Sequence, residues 1–167
     1  LLVMDFHQTS FKKETFDVVF AIEAISHSST PLIVLREAYR ILKPNGRIVM
    51  ADGYFAKKKD SLTIEEKEIA KLCFEGVHVP PLLEKDQFEK LFSEAGFSKV
   101  EWHDETKYIH NISLKVHRIG KIMLPFSKIF ELFGIRSFQT SHMKAFINQY
   151  YAFKDGLGIY GIFYGKK

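Results

Sequence analysis

The chain has 167 residues and a formal net charge of +4, with 46% hydrophobic and 26% charged residues. This length and composition predict a single globular domain over residues 1–167 and argue against a disordered chain. The basic residues are spread along the chain and no run of about 18 apolar residues occurs, so the sequence predicts neither a nucleic-acid-binding stripe nor a membrane-spanning helix.

The first part of the chain alternates between apolar runs and an amphipathic segment. The runs 1–4, which Asp5 ends, and 16–22 predict buried parallel strands. Thr30 and the proline after it predict the start of a helix, whose apolar residues recur every three or four positions. This helix is predicted to end at the Lys-Pro-Asn-Gly segment 43–46.

The middle of the chain continues this alternation. Residues 47–51 predict a third strand that ends at Asp52. Thr63 and Glu66 have the spacing of a capping box, which predicts a helix that carries Cys73 on its inward side. Because this cysteine has no disulfide partner within the chain, we expect a reducing, cytoplasmic setting.

A further helix and strand are predicted next. The Pro-Pro pair at 80–81 is expected to break the chain. Asp86 and Glu89 repeat the capping pattern for a helix that Gly96 ends, and alternation over 100–104 predicts a half-exposed strand near a sheet edge. Three helix-to-strand units in succession predict an α/β layered sheet.

The last third of the chain is predicted to be helical over about 109–153, with a break at Pro125, and to finish in a β-rich run at 158–164. Phenylalanines and basic residues are interspersed over 109–138. An apolar face with basic flanks would suit peripheral contact with a membrane surface, the roof of a greasy substrate pocket, or ordinary packing on the sheet.

Two segments together resemble a known family. The segment 16–27 reads FDVVFAIEAISH, and 42–50 reads LKPNGRIVM. This pairing resembles the S-adenosylmethionine-dependent methyltransferases of the Rossmann-like class, and AIEA followed by His27 is most similar to the branch that methylates sterols, tocopherols and related lipophilic acceptors. The resemblance implies S-adenosylmethionine as the cofactor and a small, lipophilic methyl acceptor.

The resemblance also implies an architecture. We expect a truncated Rossmann-like methyltransferase sheet with helices on both faces, a helical cap inserted at about 109–153 and an antiparallel last strand. The family's glycine-rich loop is expected before residue 1, so the chain corresponds to the carboxy-terminal part of an enzyme and is expected to bind S-adenosylmethionine weakly by itself. The strand 16–22 would then have an open edge, and we expect the chain to self-associate.

The cofactor site is predicted at the carboxyl ends of the first strands, where open α/β sheets bind ligands. In the family, the aspartate at the position of Asp5 accepts a hydrogen bond from the adenine amino group, and the backbone amide at Phe6 meets the ring. Ala21 and Ile22 are assigned to the cofactor site by the same resemblance. The alternative for Asp5 is a turn aspartate that bonds its own backbone.

Glu23 and His27 are the predicted catalytic pair. Glu23 would remove a proton from the acceptor or stabilise a cation formed on it, and a histidine can act as a base near neutral pH. The alternative is that both side chains only fix the local turn. Asp52 is a minor candidate in the same crevice, and the histidines show no metal-ligand spacing, so no metal site is predicted.

Two other functions fit the residues. A non-catalytic interaction module would keep the sheet without the cofactor loop. A nicotinamide-dependent dehydrogenase would also have its glycine fingerprint upstream, although the β-rich run at 158–164 fits it less well.

Overall fold

The computed structural model describes residues 2–77, 83–134 and 137–167, with side chains described for all of these except 74–77 and 137–139. The helices and strands, in chain order, are β1 Phe16–Ile22, α1 Pro31–Ile41, β2 Leu42–Phe55, α2 Ile64–Val77, α3 Lys85–Glu94, β3 Ser98–Asp104, α4 Thr106–Leu132, α5 Ser137–Lys154 and β4 Gly158–Lys166, with 3₁₀ turns at Ile25–His27 and Lys59–Ser61. The protein is therefore an α/β structure, as predicted.

The four strands form one mixed sheet in the order β1-β2-β4-β3. β1 and β2 are parallel, with Phe20 opposite Val49, whereas β3 and β4 are antiparallel, with Trp102 opposite Phe163. The antiparallel last strand that the resemblance implies is thus confirmed, and so is the edge position predicted for β3.

The chain divides into two compact units. The first comprises Leu1–Tyr54, Leu83–Asp104 and Tyr160–Lys167, and contains most of the sheet with α1 and α3. The second comprises Phe55–Leu82 and Glu105–Ile159, and contains α2, α4 and α5. It stays a prediction that residues 1–167 form a single domain in which about 109–153 are a helical cap.

Aromatic side chains form the core of the first unit. Phe163 is fully buried, and its ring centroid lies 5.4 Å from those of Phe88 and Phe92 and 4.7 Å from that of Trp102. Tyr54 packs on the same group, 5.4 Å from Phe163. Because these rings come from β2, α3, β3 and β4, their burial fixes α3 against the sheet.

The second unit is built on close contact between α4 and α5. The side of α4 that faces α5 carries small and polar residues. Gly120 is one of them, and an added Cβ there would lie 3.1 Å from the Met143 carbonyl oxygen. His117 on the same side is buried, and its Nδ1 lies 2.9 Å from the Ile147 carbonyl oxygen. A small residue at position 120 therefore lets the two helices approach closely.

Several predicted helix ends are confirmed. The capping box forms as predicted: the Thr63 amide donates to Glu66 Oε2 at 2.8 Å, and the Glu66 amide donates to Thr63 Oγ1 at 3.2 Å. Gly96 has a φ of 103°, and the Phe97 amide donates to the Phe92 carbonyl at 3.0 Å, which is the expected glycine-ended helix.

The predicted strand at 1–4 is wrong over its described part, since Leu2 to Asp5 form no strand and Val3 is fully exposed. An apolar run becomes a strand only if a neighbouring strand pairs with its backbone, and none of the four strands of the described sheet pairs with these residues.

Other predicted boundaries are also wrong. Pro125 lies inside α4 and does not break it; α4 is held by its packing against α5. The helix predicted from Asp86 starts after Glu84, which makes no side-chain cap bond. Thr30 likewise forms no side-chain cap, although Pro31 opens α1 as predicted. The Pro-Pro pair at 80–81 lies outside the described residues.

The strand predicted over 47–51 is longer, since β2 runs from Leu42 to Phe55 and includes Asp52. A membrane-crossing segment would need a helix that is both long and apolar, and none of the helices within the described residues meets that requirement.

Candidate functional site

The site lies where β1 ends beside β2, at the carboxyl end of their parallel pairing. Ile22, the last residue of β1, pairs with Ala51, and the Glu23 amide donates to the Ala51 carbonyl at 2.9 Å. Glu23 and Asp52 therefore follow directly after a matched pair of residues. The carboxyl ends of parallel strands are the usual ligand-binding edge of an open α/β sheet.

The backbone of Glu23 is in the left-handed region, with a φ of 51°. A side chain other than glycine, asparagine or aspartate rarely adopts this conformation, and its cost is about 1–3 kcal/mol. This residue turns the chain out of β1 and into the 3₁₀ turn at Ile25–His27. The Tyr160 hydroxyl of β4 donates a hydrogen bond to the Glu23 carboxylate.

Asp52 is almost completely buried, with 1% of its surface exposed. Its carboxylate accepts hydrogen bonds from the Ser26 amide at 3.1 Å and from the Gly53 amide at 2.8 Å. Burial nevertheless raises the pKa of Asp52, because the loss of water around the carboxylate outweighs these bonds. The structure thus makes Asp52 a full member of the site, whereas the sequence indicates only a minor candidate.

The pKa of Glu23 is also raised. The main cause is the removal of water around the carboxylate, and the negative charge of Asp52 adds to it. The hydrogen bond from Tyr160 and the charge of His27 act in the opposite direction. Two neighbouring carboxyl groups that hold their protons more tightly than usual are suited to proton transfer.

Two tyrosines of the site carried no role in the sequence prediction. Tyr54 is 2% exposed, and its hydroxyl has no hydrogen-bond partner within the described part of the chain. Burial raises the pKa of both Tyr54 and Tyr160 above the ordinary tyrosine value, so both hydroxyls stay protonated and can donate. We call Glu23, Asp52, Tyr54 and Tyr160 the acid–tyrosine cluster.

His27 ends the 3₁₀ turn, where its amide donates to the Ala24 carbonyl at 3.2 Å. Its charge acts on both Glu23 and Asp52, which places it beside the acid–tyrosine cluster. The structure thus brings the predicted pair together, while the catalytic role of each stays a prediction.

Asp5 makes the turn contacts that the alternative interpretation describes. Its Oδ1 accepts a hydrogen bond from the His7 amide at 2.8 Å and lies 2.7 Å from His7 Nδ1, and these contacts lower the pKa of Asp5. The Asp5 side chain is 67% exposed. The half-exposed Phe6 ring stacks on the His7 ring, with 4.5 Å between centroids.

Two contacts hold the loop that carries Asp5. His7 Nε2 lies 2.8 Å from Ser28 Oγ, which joins this loop to the segment after the 3₁₀ turn. Further along, the buried Glu37 accepts hydrogen bonds from the Thr9 amide and from Arg40, and these bonds lower the pKa of Glu37 to about 2. The loop is therefore fixed at both ends.

The other predicted cofactor residues close β1. Ala21 pairs with Met50, and Ile22 is 63% exposed beside Glu23. Their cofactor contacts stay a prediction. Three or more His, Cys, Asp or Glu side chains arranged to hold a metal ion are not found among the described residues.

The Asp52→Asn substitution is expected to change how stability depends on pH. In the wild type the folded pKa is raised above the ordinary 3.8, so the folded state binds more protons and stability is lost as pH rises above that value. The neutral amide does not titrate. The variant's free energy of unfolding, measured in urea, should therefore rise relative to wild type from pH 3.5 to pH 7. An unchanged difference would show that Asp52 has an ordinary pKa.

The first part of the chain is similar to a known protein family. A protein family described as "Methyltransferase domain" matches residues 1–50. The sterol 24-C-methyltransferase of Kluyveromyces lactis is 33% identical over 100 residues, covering 60% of this chain and 27% of that protein. The sterol 24-C-methyltransferase of Schizosaccharomyces pombe is 26% identical over 146 residues, covering 87% of this chain and 38% of that protein.

Solved structures share the fold. Phosphoethanolamine N-methyltransferase 2 of Haemonchus contortus, in complex with S-adenosyl-L-methionine, matches 98% of this chain and 36% of its own, with a TM-score of 0.69 and 19% identity. Geranyl diphosphate C-methyltransferase of Streptomyces coelicolor matches 98% of this chain and 50% of its own, with a TM-score of 0.62 and 18% identity. The chain spans about a quarter to two fifths of the length of the sterol methyltransferases it matches.

Proposed function

We propose that this chain, which belongs to the S-adenosylmethionine-dependent methyltransferase family, takes part in methyl transfer to a small lipophilic acceptor. The observation that carries the proposal is the acid–tyrosine cluster at the carboxyl ends of β1 and β2, next to the loop that carries Asp5. The acceptor class rests on the sterol 24-C-methyltransferases among the relatives. These relatives favour a methyltransferase over a dehydrogenase.

The residues present suit one end of S-adenosylmethionine, which supplies an electrophilic methyl group when bound. The exposed Asp5 carboxylate would accept a hydrogen bond from the adenine amino group, and the Phe6 amide would meet the ring. Ala21 and Ile22 would line the path from there to Glu23.

The acid–tyrosine cluster would act on the acceptor. As the acceptor's electron pair forms the new bond to the methyl carbon, the bond from that carbon to sulfur breaks and positive charge develops on the acceptor. The Glu23 carboxylate can stabilise that charge or take up the proton that the acceptor releases. Asp52 raises the proton affinity of Glu23, and Tyr160 holds its carboxylate in place.

The Glu23→Gln substitution tests this role. Methyl transfer should fall roughly 10²- to 10⁴-fold because the amide can neither take a proton nor carry a negative charge. Affinity for S-adenosylhomocysteine, measured by calorimetry, should stay the same. Turnover is measured with a panel of sterols and other lipophilic acceptors, as the amount of labelled methyl group that enters the organic phase.

Glu14→Gln is the matched control, since Glu14 is also a glutamate with a left-handed backbone, with a φ of 57°, and lies in an exposed loop of the same unit. It should keep wild-type turnover. If Glu23→Gln also keeps it, the assigned role of Glu23 is wrong; if label enters only water-soluble products, the acceptor class is wrong.

A further inference from the structure

α4 has an unusual distribution of side chains. The face packed on α5 buries Ser113, His117, Gly120 and Ser127, which are small or polar. Many large apolar side chains of the same helix lie off this face and are at least 44% exposed. We call six of them the apolar stripe: Ile112, Ile119, Ile122, Met123, Phe126 and Phe130.

The apolar stripe runs along one side of α4, and Lys115 lies within it. At 3.6 residues per turn its six side chains fall within about 100° of the helix circumference. An exposed apolar surface of this length on a helix marks a binding face, since isolated exposed apolar residues would be scattered around the helix.

Basic residues border the apolar stripe along one edge, between the stripe and the face packed on α5. Lys107, Arg118, Lys121 and Lys128 are all exposed and fall within about 80° of the circumference, and we call them the basic flank. With Lys115, α4 contains five basic residues and one acidic residue. Its net charge of +4 equals that of the whole chain, so the remainder of the chain is neutral.

We propose that α4 docks on an anionic lipid surface, with the apolar stripe inserted at the boundary between headgroups and acyl chains and the basic flank on the headgroups. An apolar face bordered by lysine and arginine is the pattern of helices that lie in a membrane interface. Concentration of the chain's net charge beside the stripe favours an anionic surface over a second copy of the chain, whose α4 would carry the same charge. The inference does not depend on the proposed function.

Vesicle flotation tests the proposal, because floating vesicles separate bound protein from aggregates. The chain should float with vesicles of phosphatidylcholine containing about one third phosphatidylserine, and much less with phosphatidylcholine alone. Each basic side chain near an anionic surface strengthens binding roughly fivefold. The triple variant Arg118→Gln, Lys121→Gln, Lys128→Gln should therefore bind about a hundredfold more weakly.

Lys12→Gln, Lys13→Gln, Lys58→Gln is the matched control, since it removes the same charge from exposed positions outside α4 and should bind as wild type does. A second variant, Ile119→Ser, Ile122→Ser, Phe126→Ser, should lose binding to both kinds of vesicle while circular dichroism shows unchanged helix content. The proposal would be overturned if the control variant lost vesicle binding to the same extent, or if flotation did not depend on the charge of the lipid. If the wild-type chain does not float with vesicles, and the serine variant changes a dimer into a monomer in light scattering, the apolar stripe binds a second copy of the chain instead.

Discussion

Replacing Phe163 with alanine is expected to lower the free energy of unfolding by about 3–5 kcal/mol. The side chain is fully buried in the middle of β4, and four aromatic rings surround it within 5.4 Å. Alanine would leave a cavity that rings held by three other elements cannot fill by small movements. Since domains of this size are stable by only about 5–15 kcal/mol, the loss should be visible as a large shift in the urea midpoint.

Phe20→Ala is the control for this experiment. It removes the same side chain from β1, where Phe20 is 71% exposed, and its effect should stay within about 0.5 kcal/mol. Similar effects of the two substitutions would mean that the aromatic group does not form the core of the sheet.

The second large effect concerns the state of association. β1 is the terminal strand of the sheet and, within the described residues, pairs with β2 alone. Its Val18, Phe20 and Ile22 side chains are 42%, 71% and 63% exposed. An apolar strand with an open edge is a template for pairing with another chain. We therefore expect a dimer or larger species in light scattering at tens of micromolar.

Lysine at Val18 and Phe20 should convert the associated species to a monomer, because charges on an edge strand disfavour pairing. The control variant places lysine at Ile33 and Ile64, which are exposed on α1 and α2 and add the same charge away from β1. A monomer in the wild type would contradict the open-edge argument. Equal dissociation by both variants would show that net charge, and not the β1 edge, controls association.

The elements predicted best are those whose signal lies in adjacent residues. The run 16–22 predicts β1 with its observed bounds, because its apolar residues give the strand propensity. The predicted burial of this strand is wrong, since none of its residues is buried and β1 ends the sheet in the described structure. The Gly96 helix end and the capping box at Thr63 are equally local. The run 1–4 failed because a strand needs a partner, which no local pattern supplies.

The site shows the same limit. Glu23, His27 and Asp52 each follow a predicted strand or lie at its end, so their common edge can be inferred from the order of elements. Tyr160 reaches Glu23 only because β4 returns antiparallel from more than a hundred residues away. The orphan hydroxyl of Tyr54 depends on how the aromatic core packs, and no sequence spacing encodes it.

In laboratory evolution, the left-handed backbone at Glu23 would place thermal stability in conflict with the proposed catalytic role of its side chain. Glycine would occupy a φ of 51° without strain, and a single substitution there would remove the steric cost together with the carboxylate. Selection for heat resistance alone would thus favour the loss of this side chain. A library screened for stability should keep position 23 fixed.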